Sequence, residues 1–141
     1  MLLEMGMSVV LDGRDAQKDF GAAWVRGLPH GALVFLEGDL GSGKTTLVQG
    51  MLSGLGFSDE VTSPTYALMH PYPTVHGTVL HIDAYRIKHP DELWDMDLEE
   101  LVETSVLTLF EWGEMFYSDF PDALRLCLEH HEGGRRITRL N

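Results

Sequence analysis

Apolar and polar positions change their rhythm several times along the chain, and each change marks an element. Ser8-Val9-Val10-Leu11 reads as a short first strand. Asp12 then stands as a helix cap, with Asp15 well placed in the first turn. Phe20, Ala23, Trp24 and Leu28 mark that helix's apolar face, and Gly27 and Pro29 close it. Leu33 to Leu36 is an unbroken apolar run of the kind found in buried parallel strands. Leu47, Val48, Met51, Leu52 and Leu55 form one helical stripe, ended by Gly56. Pro71-Tyr72-Pro73 and Gly77 punctuate a loop or hairpin before the apolar strand Thr78–Asp83. Pro90 opens a helix expected to run to about Val102, with Leu93, Trp94, Leu98 and Leu101 on its buried side. Val106–Glu111 is another apolar strand, and Leu124, Leu126 and Leu128 alternate on a further one. Gly133-Gly134 turns the chain into a last strand, Arg136 to Leu140, and His130-His131 reads as part of an exposed turn. Strands alternating with helices predict an α/β fold, a mostly parallel P-loop NTPase-like sheet flanked by helices.

One connection carries a complete chemical motif. Gly38-Asp39-Leu40-Gly41-Ser42-Gly43-Lys44-Thr45-Thr46 contains G-x-x-x-x-G-K-[ST], preceded by a predicted strand and followed by a predicted helix. Glycines there let backbone N–H groups converge on an anion, and the helix N-terminus adds partial positive charge. Lys44 is placed to reach the outer phosphates, and the Thr45 hydroxyl to ligate magnesium. With both flanks present, the motif predicts binding of a nucleoside triphosphate.

Composition narrows the remaining classes. At 141 residues the chain is read as one domain over 1–141, with 44% hydrophobic and 23% charged residues. No apolar run approaches a membrane span, and the N-terminus lacks the pattern of a secretory signal. The single Cys127 rules out an internal disulfide and fits a reducing, cytoplasmic setting. With 22 acidic against 10 basic residues, the formal charge of −12 argues against direct binding to nucleic acid. The basic cluster Arg135-Arg136-Ile137-Thr138-Arg139 stands alone against that background. The acidic run Asp91 to Glu103 reads as a solvated helix face, with a partner-docking face as the sharper alternative.

Two apolar strands end in carboxylates, at Asp83 and Glu111. A bound triphosphate needs magnesium opposite the Thr45 hydroxyl, and in this fold class an acid at a strand end supplies the second contact. One acid could orient the metal's water shell while the other positions or deprotonates the attacking water. Their residue types leave open which does which. Tyr85 and Arg86 follow Asp83, and Arg86 could face phosphate or pair with the acidic helix. Trp112 follows Glu111, where core packing competes with a place beside the loop. Thr62-Ser63-Pro64-Thr65 reads equally as a turn before a strand or as a switch that senses the terminal phosphate.

Gly38 to Thr46, Ser-Pro-Thr-Tyr from Ser63, His-Ile-Asp-Ala-Tyr-Arg from His81 and Glu-Trp from Glu111 together resemble the TsaE (YjeE) family of bacterial ATPases. The resemblance spans roughly Asp12 to Glu114. It implies a small magnesium-dependent ATPase needed for threonylcarbamoylation of the adenosine beside the tRNA anticodon. It further implies that the protein binds the TsaB–TsaD pair and meets tRNA only through that complex. By position, Lys44 would bind phosphate, Thr45 and Glu111 would hold magnesium, and Asp83 would be needed for hydrolysis. Thr62 to Thr65 would form the nucleotide-sensitive switch, and Trp112 would lie beside the site. Around Asp15-Ala16-Gln17 the chain lacks a threonine common in the family's first helix, so the resemblance assigns no adenine contacts there.

Two other functions fit a phosphate loop. A small-molecule kinase needs a lid with several arginines to clamp the transferred phosphate, and between the loop and Glu111 only Arg86 and Lys88 are on offer. A nucleotide-dependent binding module without hydrolysis would have no use for two strand-end acids.

Overall fold

The structure is a computed structural model, and it describes residues 3–39, 41–57 and 68–141. Seven strands form one sheet: β1 (Ser8–Leu11), β2 (Ala32–Glu37), β3 (Met69–Thr74), β4 (Gly77–Asp83), β5 (Leu107–Glu111), β6 (Leu124–His131) and β7 (Gly134–Arg139). Their spatial order is β1-β7-β6-β2-β5-β4-β3. The centre, β6-β2-β5-β4, is parallel, whereas both margins are antiparallel. The phosphate-loop strand β2 therefore lies between β6 and β5, with three strands on either side of it.

Strand alternation sends side chains to two cores. Val34 and Leu36 of β2, Leu107 and Leu109 of β5 and Val79 of β4 face α1 (Gly13–Val25) and α2 (Lys44–Gly54). Leu33 and Phe35, Leu80 and Ile82, and Phe110 face α3 (Asp91–Trp94), α4 (Leu98–Thr104) and a single 3-10 turn at Glu114–Phe116. A strand covered on both sides favours apolar residues at every position, which is why Leu33–Leu36 of β2 is an unbroken apolar run and β5 departs from one, before its terminal acid, only at the buried Thr108. The same alternation puts His81 and Glu111 on the α1/α2 side, the side of the phosphate loop.

Helices α1 and α2 approach unusually closely, because Gly21 on one and Gly50 and Gly54 on the other carry no side chain at the crossing. A Cβ on Gly21 would lie 2.9 Å from the Leu47 carbonyl oxygen. The buried stripe of α1 is consequently Gln17, Gly21, Trp24 and Val25; Ala23, expected on that face, is exposed. Helix α2 ends as anticipated. Gly56 takes φ +86°, the Phe57 N–H bonds the Leu52 carbonyl at 2.9 Å, and the Gly56 N–H bonds that of Ser53 at 3.0 Å.

Three expectations change. The predicted helix from Pro90 to Val102 is two short ones, broken at Asp97, whose φ is +63°. Leu93 and Leu98 are both fully buried in one core, yet a continuous helix would point them about 140° apart. Like charges at Asp91, Asp95 and Glu99 also oppose an uninterrupted helix. Pro71 and Pro73 sit within β3, tolerated because it is an edge strand paired only with β4. His130 and His131 end β6 and pair with Arg135 and Gly134. The turn itself is Glu132-Gly133, both at positive φ, as a two-residue hairpin requires.

Candidate active site

Beyond β2 the chain must wrap tightly around an anion, and its glycines show where. Gly38 has φ +145°, and a Cβ there would come within 2.6 Å of the Leu128 carbonyl oxygen. Gly43 has φ +102° and caps α2, and a Cβ there would collide with the Gln17 carboxamide. Helix α2 then begins at Lys44, so its free N–H groups and its dipole point into the loop. Lys44 is 5% exposed and donates from Nζ to the Gly38 carbonyl at 2.7 Å. The same ammonium sits 3.5 Å over the centre of the Trp112 ring. Burial lowers the Lys44 pKa below its ordinary value, against the opposing pull of Glu111 and Asp83.

The two acids arrive on adjacent parallel strands. Asp83 ends β4, Glu111 ends β5, and they are direct register partners. Asp83 Oδ1 accepts the Tyr85 N–H at 2.9 Å, which aims its carboxylate. Burial, with Glu111 adding to it, raises the Asp83 pKa from its ordinary value, and the Tyr85 bond only partly offsets that. Glu111 is 3% exposed and shares a short contact of 2.5 Å between Oε2 and Nε2 of the fully buried His81. Trp112 follows at φ +57°, an unusual conformation for a bulky side chain. Its indole packs against the margin of the core and presents its face to Lys44, and Tyr85 packs against it at 5.0 Å between ring centres.

Together these groups wall a cavity of about 330 Å³. Gly41, Gly43, Lys44, Thr45, Thr46, Asp83, Glu111 and Trp112 all line it. Gly38 and Ser42 shape the loop without lining it, and Asp39 is exposed. Arg86 is exposed and outside the lining, so the structure does not bring it to the phosphate side. Tyr85 reaches the site through Trp112. Leu40 and the segment Thr62, Ser63, Pro64 and Thr65 lie outside the described residues.

Three further lining residues were not anticipated. Arg14 and Gln17 come from α1, and Arg135 comes from β7. Arg135 donates from Nε to the Ser42 carbonyl at 2.9 Å and from Nη2 to that of Gly41 at 3.1 Å. It thereby braces the loop from behind, holding carbonyls away from the space where an anion would sit. Gln17 is 3% exposed and its Nε2 has no hydrogen-bond partner. A polar residue in register with the buried Gly21 and Trp24 is the sequence signal that marks it. For Arg135 the signal was its place in the lone basic cluster, but the predicted strand began one residue too late to include it.

The Thr45 hydroxyl and the Asp83 and Glu111 carboxylates could supply hard oxygen donors, which suit magnesium rather than a softer metal, while the Lys44 ammonium could meet only anions. Among the described residues no three His, Cys, Asp or Glu side chains converge as a cage. Magnesium typically completes such a site with phosphate oxygens and water. Also among the described residues, no helix is long and apolar enough to cross a membrane.

The family model of threonylcarbamoyl adenosine biosynthesis protein TsaE matches residues 11–138. The tRNA threonylcarbamoyladenosine biosynthesis protein TsaE of Haemophilus influenzae is 38% identical over 106 residues, covering 74% of this chain and 67% of that protein. The protein of the same description from Streptomyces coelicolor is 38% identical over 120 residues, covering 82% and 80%. Among solved structures, Bacillus subtilis YdiB superposes with a TM-score of 0.75 over 97% of this chain and 87% of that one. At 24% identity that likeness speaks for the fold.

Proposed function

The chain belongs to the TsaE family and acts in tRNA threonylcarbamoyladenosine biosynthesis, and we propose that it does so as a magnesium-dependent ATPase. The observation that carries this reading is the convergence of Lys44, Thr45, Asp83 and Glu111 in one cavity at the carboxyl ends of parallel strands. Lys44 and the loop N–H groups would bind the β- and γ-phosphates, the lysine exchanging its bond to Gly38 for charge-assisted ones. Thr45 and Glu111 would hold magnesium, which would neutralise phosphate charge during transfer. Asp83, its pKa raised by burial, is tuned towards accepting a proton from the attacking water. Trp112 and Tyr85 would cover the phosphates and limit access of bulk water.

The proposed partners are TsaB and TsaD, with tRNA reached only through them. The acidity of the chain supports that indirect contact, since −12 is a poor match for a phosphate backbone. The test is ATP hydrolysis by the purified chain, alone and with the TsaB–TsaD pair added. Slow basal turnover that rises sharply with the pair is expected. A flat response would remove the partner-stimulated reading. The small-molecule kinase is the weaker alternative. Arg86 stands outside the cavity and Arg135 spends two N–H groups on loop carbonyls, which leaves Arg14 as a single further lining arginine among the described residues, short of the several a kinase lid needs.

A further inference from the structure

The site contains one buried ionisable side chain that the scheme above does not use. His81 is fully buried on β4, two residues before Asp83, and its Nε2 meets Glu111 Oε2 at 2.5 Å. Its other nitrogen, Nδ1, is buried with no hydrogen-bond partner among the described residues. That asymmetry fixes the tautomer. A proton on Nδ1 would be stranded without an acceptor while the Nε2 lone pair faced a carboxylate, and both arrangements cost free energy. Nε2 therefore carries a proton and donates it to Glu111 Oε2. A mere core filler at this place would need no nitrogen at all, because Val79 and Leu109 beside it are satisfied as hydrocarbons.

We propose that His81 is a positioning residue that locks the Glu111 carboxylate in one orientation, engaging Oε2 and leaving Oε1 as the oxygen free to face a divalent cation or its water shell. The proposal rests on the reading of Glu111 as the metal-side acid. A carboxylate 3% exposed, tethered by one oxygen, loses rotational freedom before the cation arrives, so less ordering remains to be done on binding. Bonds of this kind from a neighbouring side chain to a metal ligand commonly change metal affinity by about 10- to 100-fold.

The test measures the MgCl2 concentration that half-saturates binding of a fluorescent non-hydrolysable ATP analogue. Its controls are thermal melts and nucleotide affinity without metal. His81→Gln keeps an amide donor at about the reach of Nε2, whereas His81→Asn carries the same amide too short to reach Glu111. The Asn variant should need about tenfold more magnesium, and the Gln variant should recover most of that loss. His81→Asn added to Glu111→Gln should change magnesium demand no further, because the two act as one unit. Equal magnesium demand for wild type, Gln and Asn variants would overturn the proposal. If Glu111→Gln alone leaves magnesium demand unchanged, the assignment of Glu111 falls, and that outcome is distinct from a failure at His81.

Discussion

At the carboxyl ends of β2, β4 and β5 the cavity of about 330 Å³ is walled by Lys44, Thr45, Asp83 and Glu111. At the opposite ends of the sheet a larger cavity, about 410 Å³, is walled mainly by Val25, Leu28, Pro29, Leu55, Val106 and Leu107. Arg26, His30 and His76 contribute at its margin. The two lie at opposite ends of the same strands: Leu107 begins β5 and Glu111 ends it, about 13 Å away. Size does not decide which end holds the chemistry. At the active end a helix begins, so unpaired N–H groups and a positive dipole face the cavity; at the other, α1 and α2 end. Register then delivers Asp83 and Glu111 side by side to the end where a polyphosphate and its cation can sit.

The strongest challenge to this contrast is to remove the buried ammonium at the active end. Lys44→Ala should weaken triphosphate binding by about 100-fold or more, measured by titration with a fluorescent ATP analogue, while the fold persists. Near-normal binding would mean that backbone groups alone make the site. Next in size come the acids. Asp83→Ala and Glu111→Ala should each lower hydrolysis by about 10² to 10⁴ while nucleotide affinity stays within about tenfold. Normal turnover in both would end the assignment of chemistry to this pair.

The opposite end should answer differently. Leu107 is 3% exposed in the core beneath α1 and α2, so Leu107→Ala should cost about 2–5 kcal/mol in denaturant unfolding. Nucleotide affinity, measured where the variant is still folded, should remain within about twofold. A large loss of affinity would show that the two ends are coupled through β5 and are not independent.

Much of the active end was legible because its signals are local. The phosphate loop announces itself through glycines at fixed spacing between a strand and a helix, and the strand-end acids through apolar runs that stop at a carboxylate. Resemblance to the TsaE family added roles that spacing alone left open between Asp83 and Glu111. What escaped is non-local. Arg135 reaches the loop only because β7 folds back between β1 and β6, a pairing no local pattern encodes. Gln17 reaches Gly43 because α1 and α2 cross at glycines. The break at Asp97 was hidden because propensity favours one helix there, whereas the burial of both Leu93 and Leu98 demands two. Local pattern left Trp112 between core packing and the loop, and only the family resemblance put it beside the site, because its place over Lys44 goes with a backbone φ of +57°.

The smallest expected effect is also the one that separates a site built for function from a region built for stability. Burial raises the Asp83 pKa above its ordinary 3.8, so the folded chain holds this carboxylate's charge unwillingly. Well below pH 3.8 the group is protonated in both states and costs nothing; the penalty grows as pH rises from 3.8 towards the folded-state pKa and is complete above it. Asp83→Asn has no charge to bury and can still accept the Tyr85 N–H through its carbonyl oxygen. Without nucleotide or metal it should melt about 1–3 °C above the wild type at pH 7, a gain kept small because the carboxylate is only half-buried. The gap should narrow as the pH is lowered through the folded-state pKa, the opposite of what a stabilising ion pair would show. A lower melting point for the Asn variant at pH 7 would mean that the charged bond to Tyr85 outweighs desolvation, and that the active end, like the apolar one, contributes to holding the fold together.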